Sequence, residues 1–220
     1  MKKNLLALAF LVGLLTCCKS EDAPIKPVKP TDPGSINKEY MSRAETTFAN
    51  IFKYYWSDKV RMMFGSYPNT LGTPQEPSSP DYDSHAYLWG LGSVVSAFNA
   101  IVQNTDNVDF RMTYESRLKE TLLKYYNTTK EPMCFGCFVN PHDQRLYDDA
   151  IWVGIDLADL YSKTKDSWYL DYAKSVWNFV LSGKDDELGG GVYWDENAKD
   201  SKNTCSNAPA VVLALKLYQI

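Results

Sequence analysis

The sequence predicts an all-α fold in which helical hairpins surround a common axis. Three observations support this prediction. Six segments after residue 36 carry apolar residues at helical spacing, which is the periodicity of amphipathic or buried helices. Amphipathic segments alternate with segments that are apolar on nearly all sides, as outer and inner helices do when hairpins are arranged in a ring. No segment has the pattern of a long strand. The pattern is therefore that of an (α/α) toroid.

Residues 1–18 have the pattern of a bacterial targeting segment. Basic residues precede an apolar stretch, residues 5–15, that has about the length usual for secretion and is too short to cross a bilayer. Cys17 and Cys18 follow in a context that resembles a lipobox, and Cys18 is preferred because the polar stretch starts directly after it. An ordinary cleaved signal peptide is the alternative. We expect a bacterial lipoprotein whose lipid anchor contacts the membrane, at the outer membrane, the cell surface or the periplasmic face.

Residues 19–37 are expected to form a tether, because prolines recur among charged and small residues. The domain itself is expected over residues 38–220. Its first predicted helix, residues 37–56, has an apolar face that includes Phe48. The second, residues 85–103, is apolar nearly all round and is therefore expected to be an inner helix.

The remaining predicted helices continue the alternation. The third, residues 110–126, is amphipathic, the fourth, residues 148–162, is mostly apolar, and the fifth, residues 167–182, is again amphipathic. A short hairpin is expected over residues 189–194, and the sixth helix, residues 206–218, is apolar. Three hairpins do not close a ring, so the sequence predicts a toroid that is C-terminally truncated.

Composition limits the classes of partner. The chain has 220 residues and a net charge of −4, and this mild acidity argues against nucleic acid, which requires basic stripes. Cys134 and Cys137 have the spacing of half a zinc site, but the sequence offers no second pair, so no metal is expected. Small buried thiols and a local disulfide are the alternatives that remain.

Asp148 and Asp149 begin the fourth predicted helix, which is otherwise apolar. A structural interpretation is that the acids complement the helix dipole. A catalytic interpretation is favoured because the preceding loop places them at the rim of the toroid, with Trp152 on the same face as Asp149. Adjacent helical side chains point about 100° apart, which allows carboxyls about 5 Å apart, the separation suited to a retaining glycosidase. The pair is then expected to divide into an ionised nucleophile and a protonated acid.

Four ordered motifs point to one family. Residues 87–89, 148–152, 189–194 and 202–208 read Tyr-Leu-Trp, Asp-Asp-Ala-Ile-Trp, Gly-Gly-Gly-Val-Tyr-Trp and Lys-Asn-Thr-Cys-Ser-Asn-Ala. They resemble motifs of glycoside hydrolase family 76, the endo-α-1,6-mannanases, and the likeness extends over residues 40–220. The resemblance implies an (α/α)₆ toroid, of which the chain covers the N-terminal half or slightly more, about six of twelve helices. It implies that the first aspartate of the pair is the nucleophile, that the second is the general acid/base, and that no metal or organic cofactor is needed.

Five side chains are candidates for contact with a mannan substrate: Trp152, Tyr193, Trp194, Asn203 and Asp156. The rings could stack on mannose, but packing in the core is an equal alternative for Tyr193 and Trp194. Asn203 could bond sugar hydroxyls. Asp156 lies seven residues after Asp149 on the same face, so it could bond substrate or Trp152, or form a buried structural hydrogen bond.

The sequence therefore predicts a lipid-anchored retaining hydrolase of α-1,6-linked mannan. A non-catalytic glycan-binding lipoprotein is one alternative, although such a protein need not keep both aspartates. Another (α/α)₆ sugar enzyme, such as an unsaturated glucuronyl hydrolase or a sugar epimerase, is the second alternative. An epimerase would need core histidines, and the chain has only 2 histidines.

Overall fold

The computed structural model describes residues 33–68, 85–139 and 144–220, with side chains from residue 37 onward. Backbone contacts separate the chain into Met1–Asn37 and Lys38–Ile220, and the second unit carries the features that follow. The predicted targeting segment and its two cysteines lie outside the described residues, as does most of the predicted tether.

Six α-helices form most of the described residues: α1 Pro33–Tyr55, α2 Leu88–Asn104, α3 Val108–Tyr125, α4 Tyr147–Thr164, α5 Ser167–Ser182 and α6 Thr204–Tyr218. Two antiparallel pairs of two-residue strands lie between them: β1 Trp56–Ser57 with β2 Met62–Met63, and β3 Tyr126–Asn127 with β4 Cys134–Phe135. The all-α prediction is confirmed.

Helices α2 and α4, which were predicted to be inner, bury more of their residues than α3 and α5, which were predicted to be outer. Inner helix α4 packs against α2, α5 and α6. Outer helix α1 meets its neighbours through Phe48, whose ring lies 6.1 Å from Phe98 of α2 and 5.3 Å from Phe110 of α3, measured between centroids. Helix α4 contains the fully buried Ile151, and its first turn places the Tyr147 ring 4.3 Å from that of Phe179 on α5. This packing holds the N-terminus of α4 between neighbouring helices.

The start of α1 and the predicted hairpin differ from the structure. Helix α1 begins at Pro33, inside the segment predicted as a tether. Proline is accepted there because the first helical N–H groups have no partner within the helix in any case. The hairpin predicted over residues 189–194 is replaced by a 3₁₀ turn, Glu187–Gly189, and a single bridge between Lys184 and Val192. The three glycines, residues 189–191, have φ values of 86°, 89° and 90°, which are not strand conformations.

Helix α6 exposes apolar side chains along one face. Val211, Leu215 and Tyr218 have exposed fractions of 60%, 56% and 88%. They border an open groove whose other side is formed by residues of α5 such as Leu181. In the part of the chain that the structure describes, no helix combines the length and hydrophobicity needed to cross a bilayer.

Candidate active site

A buried cation fixes the segment that leads into α4. Arg145 is fully buried, and its guanidinium makes two contacts with the Glu196 carboxylate, one of them Nε to Oε2 at 2.8 Å. The same group donates to the carbonyl of Pro132 at 2.6 Å and lies over the Phe179 ring, 4.7 Å from its centroid. A buried charge is stable only when it has such partners. The contacts of Arg145 therefore fix the path of the backbone into α4.

Residues after the glycine stretch hold Asp148 in place. Leu146 pairs with Asp195 in a single β-bridge, and the Tyr147 N–H donates to the Trp194 carbonyl at 3.0 Å. The Trp194 indole Nε1–H then donates to Asp148 Oδ2 at 3.1 Å. The other oxygen, Oδ1, accepts the backbone N–H of the next residue, also at 3.1 Å. Both oxygens of the Asp148 carboxylate are therefore oriented.

Asp149 faces an open pocket of about 150 Å³ between α2 and α4. Its other lining residues are Trp89, Gly92, Ser93, Ser96 and Trp152. Burial, and after it the charge of Asp148, raise the pKa of Asp149 to about 6, while a hydrogen bond from the Cys137 thiol acts in the opposite direction. A carboxyl with such a pKa can both donate and accept a proton near neutrality, as general acid–base chemistry requires.

Three partly exposed indole rings surround the carboxylate pair. Trp89, Trp152 and Trp194 have exposed fractions of 55%, 42% and 36%, so their faces are open to a ligand. Flat rings of this kind suit the C–H faces of pyranoses. Tyr193 differs, since its exposed fraction is 3% and its ring packs under the Lys202 ammonium, 4.5 Å from the centroid. The core-packing alternative therefore describes Tyr193, and stacking on mannose remains a prediction for Trp152 and Trp194.

A family model for Glycosyl hydrolase family 76 matches residues 39–220. The chain belongs to this family. No match was found among curated proteins.

Solved structures of family 76 members are similar to the chain. The mannosidase Bt3792 from Bacteroides thetaiotaomicron VPI-5482 is 26% identical, with a TM-score of 0.71 over 82% of this chain and 48% of that chain. A family 76 glycoside hydrolase from a bovine Bacteroides thetaiotaomicron strain is 31% identical, with a TM-score of 0.70 over 81% of this chain and 38% of that chain. The chain thus spans half or less of the length of these relatives.

An α-1,6-mannanase from Salegentibacter sp. HEL1_6 is also similar in fold. An inactive variant of that enzyme with two consecutive aspartates substituted, in complex with α-1,6-mannotriose, is 21% identical, with a TM-score of 0.59 over 83% of this chain and 45% of that chain. These comparisons, together with the six alternating helices, agree with a segment of the (α/α)₆ toroid of family 76.

Asp156 of this family 76 chain lies in a buried, hydrogen-bonded environment. Its exposed fraction is 7%, and it accepts hydrogen bonds from Ser96 and from Asn99 Nδ2, the latter at 2.8 Å. Burial raises its pKa, and these two bonds oppose the rise. The buried hydrogen-bond alternative therefore describes Asp156, although Ser96 connects it to the pocket in front of Asp149.

Asn203 is half-buried at the N-cap of α6 and makes no capping bond with its side chain, so its contact with substrate stays a prediction.

Side chains of Asn207 and Lys202 hold the segment that contains the glycine stretch. Asn207 accepts the Val192 N–H at 2.7 Å and donates to the Val192 carbonyl at 2.9 Å. A Cβ at Gly191 would lie 2.4 Å from Asn207 Oδ1, so only glycine fits here. Lys202 donates to Asp185 Oδ1 at 2.5 Å. These bonds fix the segment that carries Trp194.

The sequence analysis missed several residues that border the pair. One face of α2 carries Trp89, Ser93 and Ser96, which line the pocket in front of Asp149. The two serines on this otherwise apolar helix were the sequence feature that could have indicated the pocket. Burial, and after it Asp149 for Cys137 and Asp148 for Cys205, raise the pKa values of these two thiols. All three cysteines of the described residues are free thiols, so the local disulfide alternative is wrong. No group of three or more metal-ligating side chains occurs within these residues.

Proposed function

We propose that the full-length protein is a retaining glycoside hydrolase that cleaves α-1,6-linked mannan. The observation that carries this proposal is the unequal environment of the two carboxylates. Asp149 has a pKa raised to about 6 by burial and by its neighbour, whereas Asp148 accepts a hydrogen bond from the Trp194 indole. Two neighbouring carboxyl groups in different environments are what glycoside hydrolysis uses.

The proposed reaction has two steps. In the first, Asp148 attacks the anomeric carbon while Asp149 gives its proton to the leaving oxygen, and a glycosyl ester of Asp148 forms. In the second, the ionised Asp149 takes a proton from water, and the resulting hydroxyl displaces Asp148 from the sugar. The sugar keeps its anomeric configuration because two inversions take place at the same carbon.

The substrate class is proposed from the family and from the surface beside the pair. The Salegentibacter relative is an α-1,6-mannanase that binds α-1,6-mannotriose, and the relative from Bacteroides thetaiotaomicron VPI-5482 is a mannosidase. Trp89, Trp152 and Trp194 present partly exposed rings around Asp149 and Asp148. Such rings offer stacking surfaces to successive pyranose units.

The test uses the full-length protein with linear α-1,6-mannan and measures the release of reducing ends. Asp148→Asn and Asp149→Asn should each lower kcat/KM by several orders of magnitude while the circular dichroism spectrum stays unchanged. Asp171→Asn is the matched control, since Asp171 is an exposed aspartate on α5. Near-normal turnover in either active-site variant would exclude the assignment.

Two further measurements separate the mechanism from the substrate. A 2-fluoro mannosyl donor should add one sugar mass to the peptide that contains Asp148. Proton NMR of the first product should show retention of configuration. Inversion would reject the nucleophile role, whereas binding of mannan without hydrolysis would support the non-catalytic glycan-binding alternative.

We also propose that the protein is a lipid-anchored bacterial surface or periplasmic protein, on the basis of Cys17 and Cys18 in the N-terminal segment. Changing both cysteines to alanine should abolish incorporation of labelled fatty acid and move the protein from the membrane fraction to the soluble fraction. If the double variant still partitions with membranes, the anchoring proposal is wrong.

A further inference from the structure

Ser96 of α2 connects the pocket in front of Asp149 to a polar cluster between α2 and α4. The side chain of Ser96 is half-buried and lines the pocket. Its hydroxyl donates a hydrogen bond to Oδ2 of Asp156 on α4, and Asp156 is itself buried. Ser96 is thus the group through which the buried carboxylate acts on the pocket.

The hydrogen bonds on the far side of Asp156 have a fixed direction. The backbone carbonyl of Asp159 can only accept, so the Gln103 atom that lies 3.0 Å from it is the amide nitrogen Nε2. The same nitrogen donates to Asn99 Oδ1 at 3.1 Å. Asn99 therefore turns its Nδ2 to α4, where it donates to Asp156 Oδ1 at 2.8 Å. A main-chain acceptor thus fixes the orientation of both amides.

The Asp156 carboxylate determines which way the Ser96 hydroxyl points. Its Oδ1 accepts the amide N–H of Asn99, and its Oδ2 meets Ser96 Oγ. An ionised carboxylate has no hydrogen to give, so the single hydroxyl hydrogen of Ser96 is directed to Asp156. Ser96 Oγ then has only its lone pairs left for a ligand in the pocket.

We propose that Ser96 is a specificity-determining residue that accepts a hydrogen bond from one hydroxyl of the sugar substrate, and that Asp156 is a positioning residue that acts through Ser96. This inference rests on the proposed function, because a sugar in the pocket supplies the donor. A free sugar hydroxyl can donate, whereas an ether oxygen can only accept. The pocket therefore takes a mannose unit whose hydroxyl at this position is free and rejects one in which that hydroxyl carries a branch.

Ser93 offers a matched control for Ser96. It lines the same pocket from the same helix, but its hydroxyl donates to the backbone carbonyl of Trp89 at 3.2 Å rather than to a carboxylate. Ser93→Ala therefore removes a pocket hydroxyl without changing the bonds between Ser96, Asp156 and Asn99.

The experiment measures dissociation constants for methyl α-1,6-mannobiosides in which one ring hydroxyl at a time is replaced by hydrogen or by fluorine. Binding to the full-length protein is followed by the fluorescence of Trp89 and Trp152, which line the pocket. All proteins carry Asp148→Asn to prevent turnover. This parent protein is compared with Ser96→Ala, Asp156→Asn and Ser93→Ala in the same background.

One hydroxyl position should show a preference that depends on Ser96. At that position the parent should bind the deoxy probe roughly 2- to 10-fold more weakly than the unmodified probe, as expected for the loss of one neutral hydrogen bond. The fluoro probe should bind more weakly still, because fluorine places lone pairs against those of Ser96 Oγ. Ser96→Ala should remove both differences, and Ser93→Ala should retain them. Retention of every preference in Ser96→Ala would overturn the proposal.

Asp156→Asn should reverse the direction of the last hydrogen bond. Asn99 Nδ2 still requires an oxygen to accept its hydrogen, so the new amide presents its nitrogen to Ser96 and donates to Oγ. The hydroxyl hydrogen of Ser96 is then free to point into the pocket. The fluoro probe should therefore bind at least as tightly as the deoxy probe. An unchanged order of the two probes, with an unchanged circular dichroism spectrum, would show a purely structural role of Asp156 and overturn the proposal.

The binding measurements keep the two proposals distinguishable. If the protein with an intact Asp148 binds the probes but does not hydrolyse mannan, the proposed reaction is wrong and the preferences still decide the role of Ser96. If mannan is hydrolysed and the preferences do not depend on Ser96, only the present inference is wrong. If Asp156→Asn does not fold, the comparison of Ser96→Ala with Ser93→Ala decides in its place.

Discussion

Asp149→Asn should abolish activity and at the same time stabilise the fold at neutral pH. Asp149 is partly buried between α2 and α4, and its pKa is raised from 3.8 to about 6. The ionised form is therefore less favourable in the folded protein than in the unfolded chain. A difference of that size corresponds to about 3 kcal/mol, which solvent at this half-buried site reduces to about 1–2 kcal/mol. The amide has nearly the same shape as the carboxyl and carries no charge.

The pH dependence supplies an internal control. Between pH 3.8 and about 6 the folded protein binds more protons at Asp149 than the unfolded chain does, so stability decreases as the pH rises. The destabilisation caused by ionised Asp149 is complete above about pH 6 and absent below pH 3.8, the pKa of this carboxyl in the unfolded chain. Urea unfolding of Asp149→Asn should therefore show a gain at pH 7.5 that disappears near pH 4.

Asp171→Asn, on the exposed face of α5, gives the baseline for loss of one negative charge. Urea titrations monitored by tryptophan fluorescence at both pH values would measure the difference in the free energy of unfolding. A loss of stability in Asp149→Asn at pH 7.5 would refute the reasoning. So would a gain of equal size at pH 4.

Three further predictions concern the contacts around the pair. Trp194→Phe keeps a ring but loses the bond to Asp148, and a bond to a charged acceptor is worth about 1.5–3 kcal/mol, so kcat/KM should fall by roughly 10- to 100-fold. Arg145→Met leaves Glu196 without its buried partner, so the free energy of unfolding should fall by about 3–5 kcal/mol, and an unchanged urea midpoint would contradict this. Cys205 is exposed, but burial and after it Asp148 raise its pKa, so iodoacetamide should lower mannan hydrolysis slowly near pH 7 and faster at higher pH, and Cys205→Ser should be protected; equal inhibition of both would place the sensitive thiol elsewhere.

Much of the fold was predictable because burial leaves a local periodic signal. Residues three and four apart share a face of a helix, so the apolar patterns of α2 and α4 predicted inner helices without any tertiary information. The Asp148–Asp149 pair was predictable for the same reason, since acids at the start of an apolar helix break its pattern. The need for glycine at position 191 was not, because the side chain that a Cβ there would meet is Asn207, sixteen residues further along the chain.

The contacts that give the two carboxylates different environments were not predictable. Trp194 reaches Asp148 across 46 residues of sequence, and Ser93 and Ser96 line the pocket in front of Asp149 from a separate helix, α2. No local sequence pattern predicts contacts between side chains that lie this far apart in the chain. Asp156 is the opposite case. Its spacing from Asp149 suggested a contact with substrate, but its two carboxylate oxygens accept hydrogen bonds from Ser96 and Asn99 of α2.

The late position of the supporting residues in the sequence has a consequence during synthesis. Glu196 follows Arg145 by 51 residues, and Trp194 follows Asp148 by 46. At about 5–20 residues per second, several seconds pass on the ribosome between the two groups of each pair. During that interval the Arg145 guanidinium of the nascent chain lacks its Glu196 partner, and the Asp148 carboxylate lacks its bond from Trp194. The start of α4 is therefore fully supported only after residues 194–196 have been synthesised, and a chain released before that point lacks these contacts at the proposed active site.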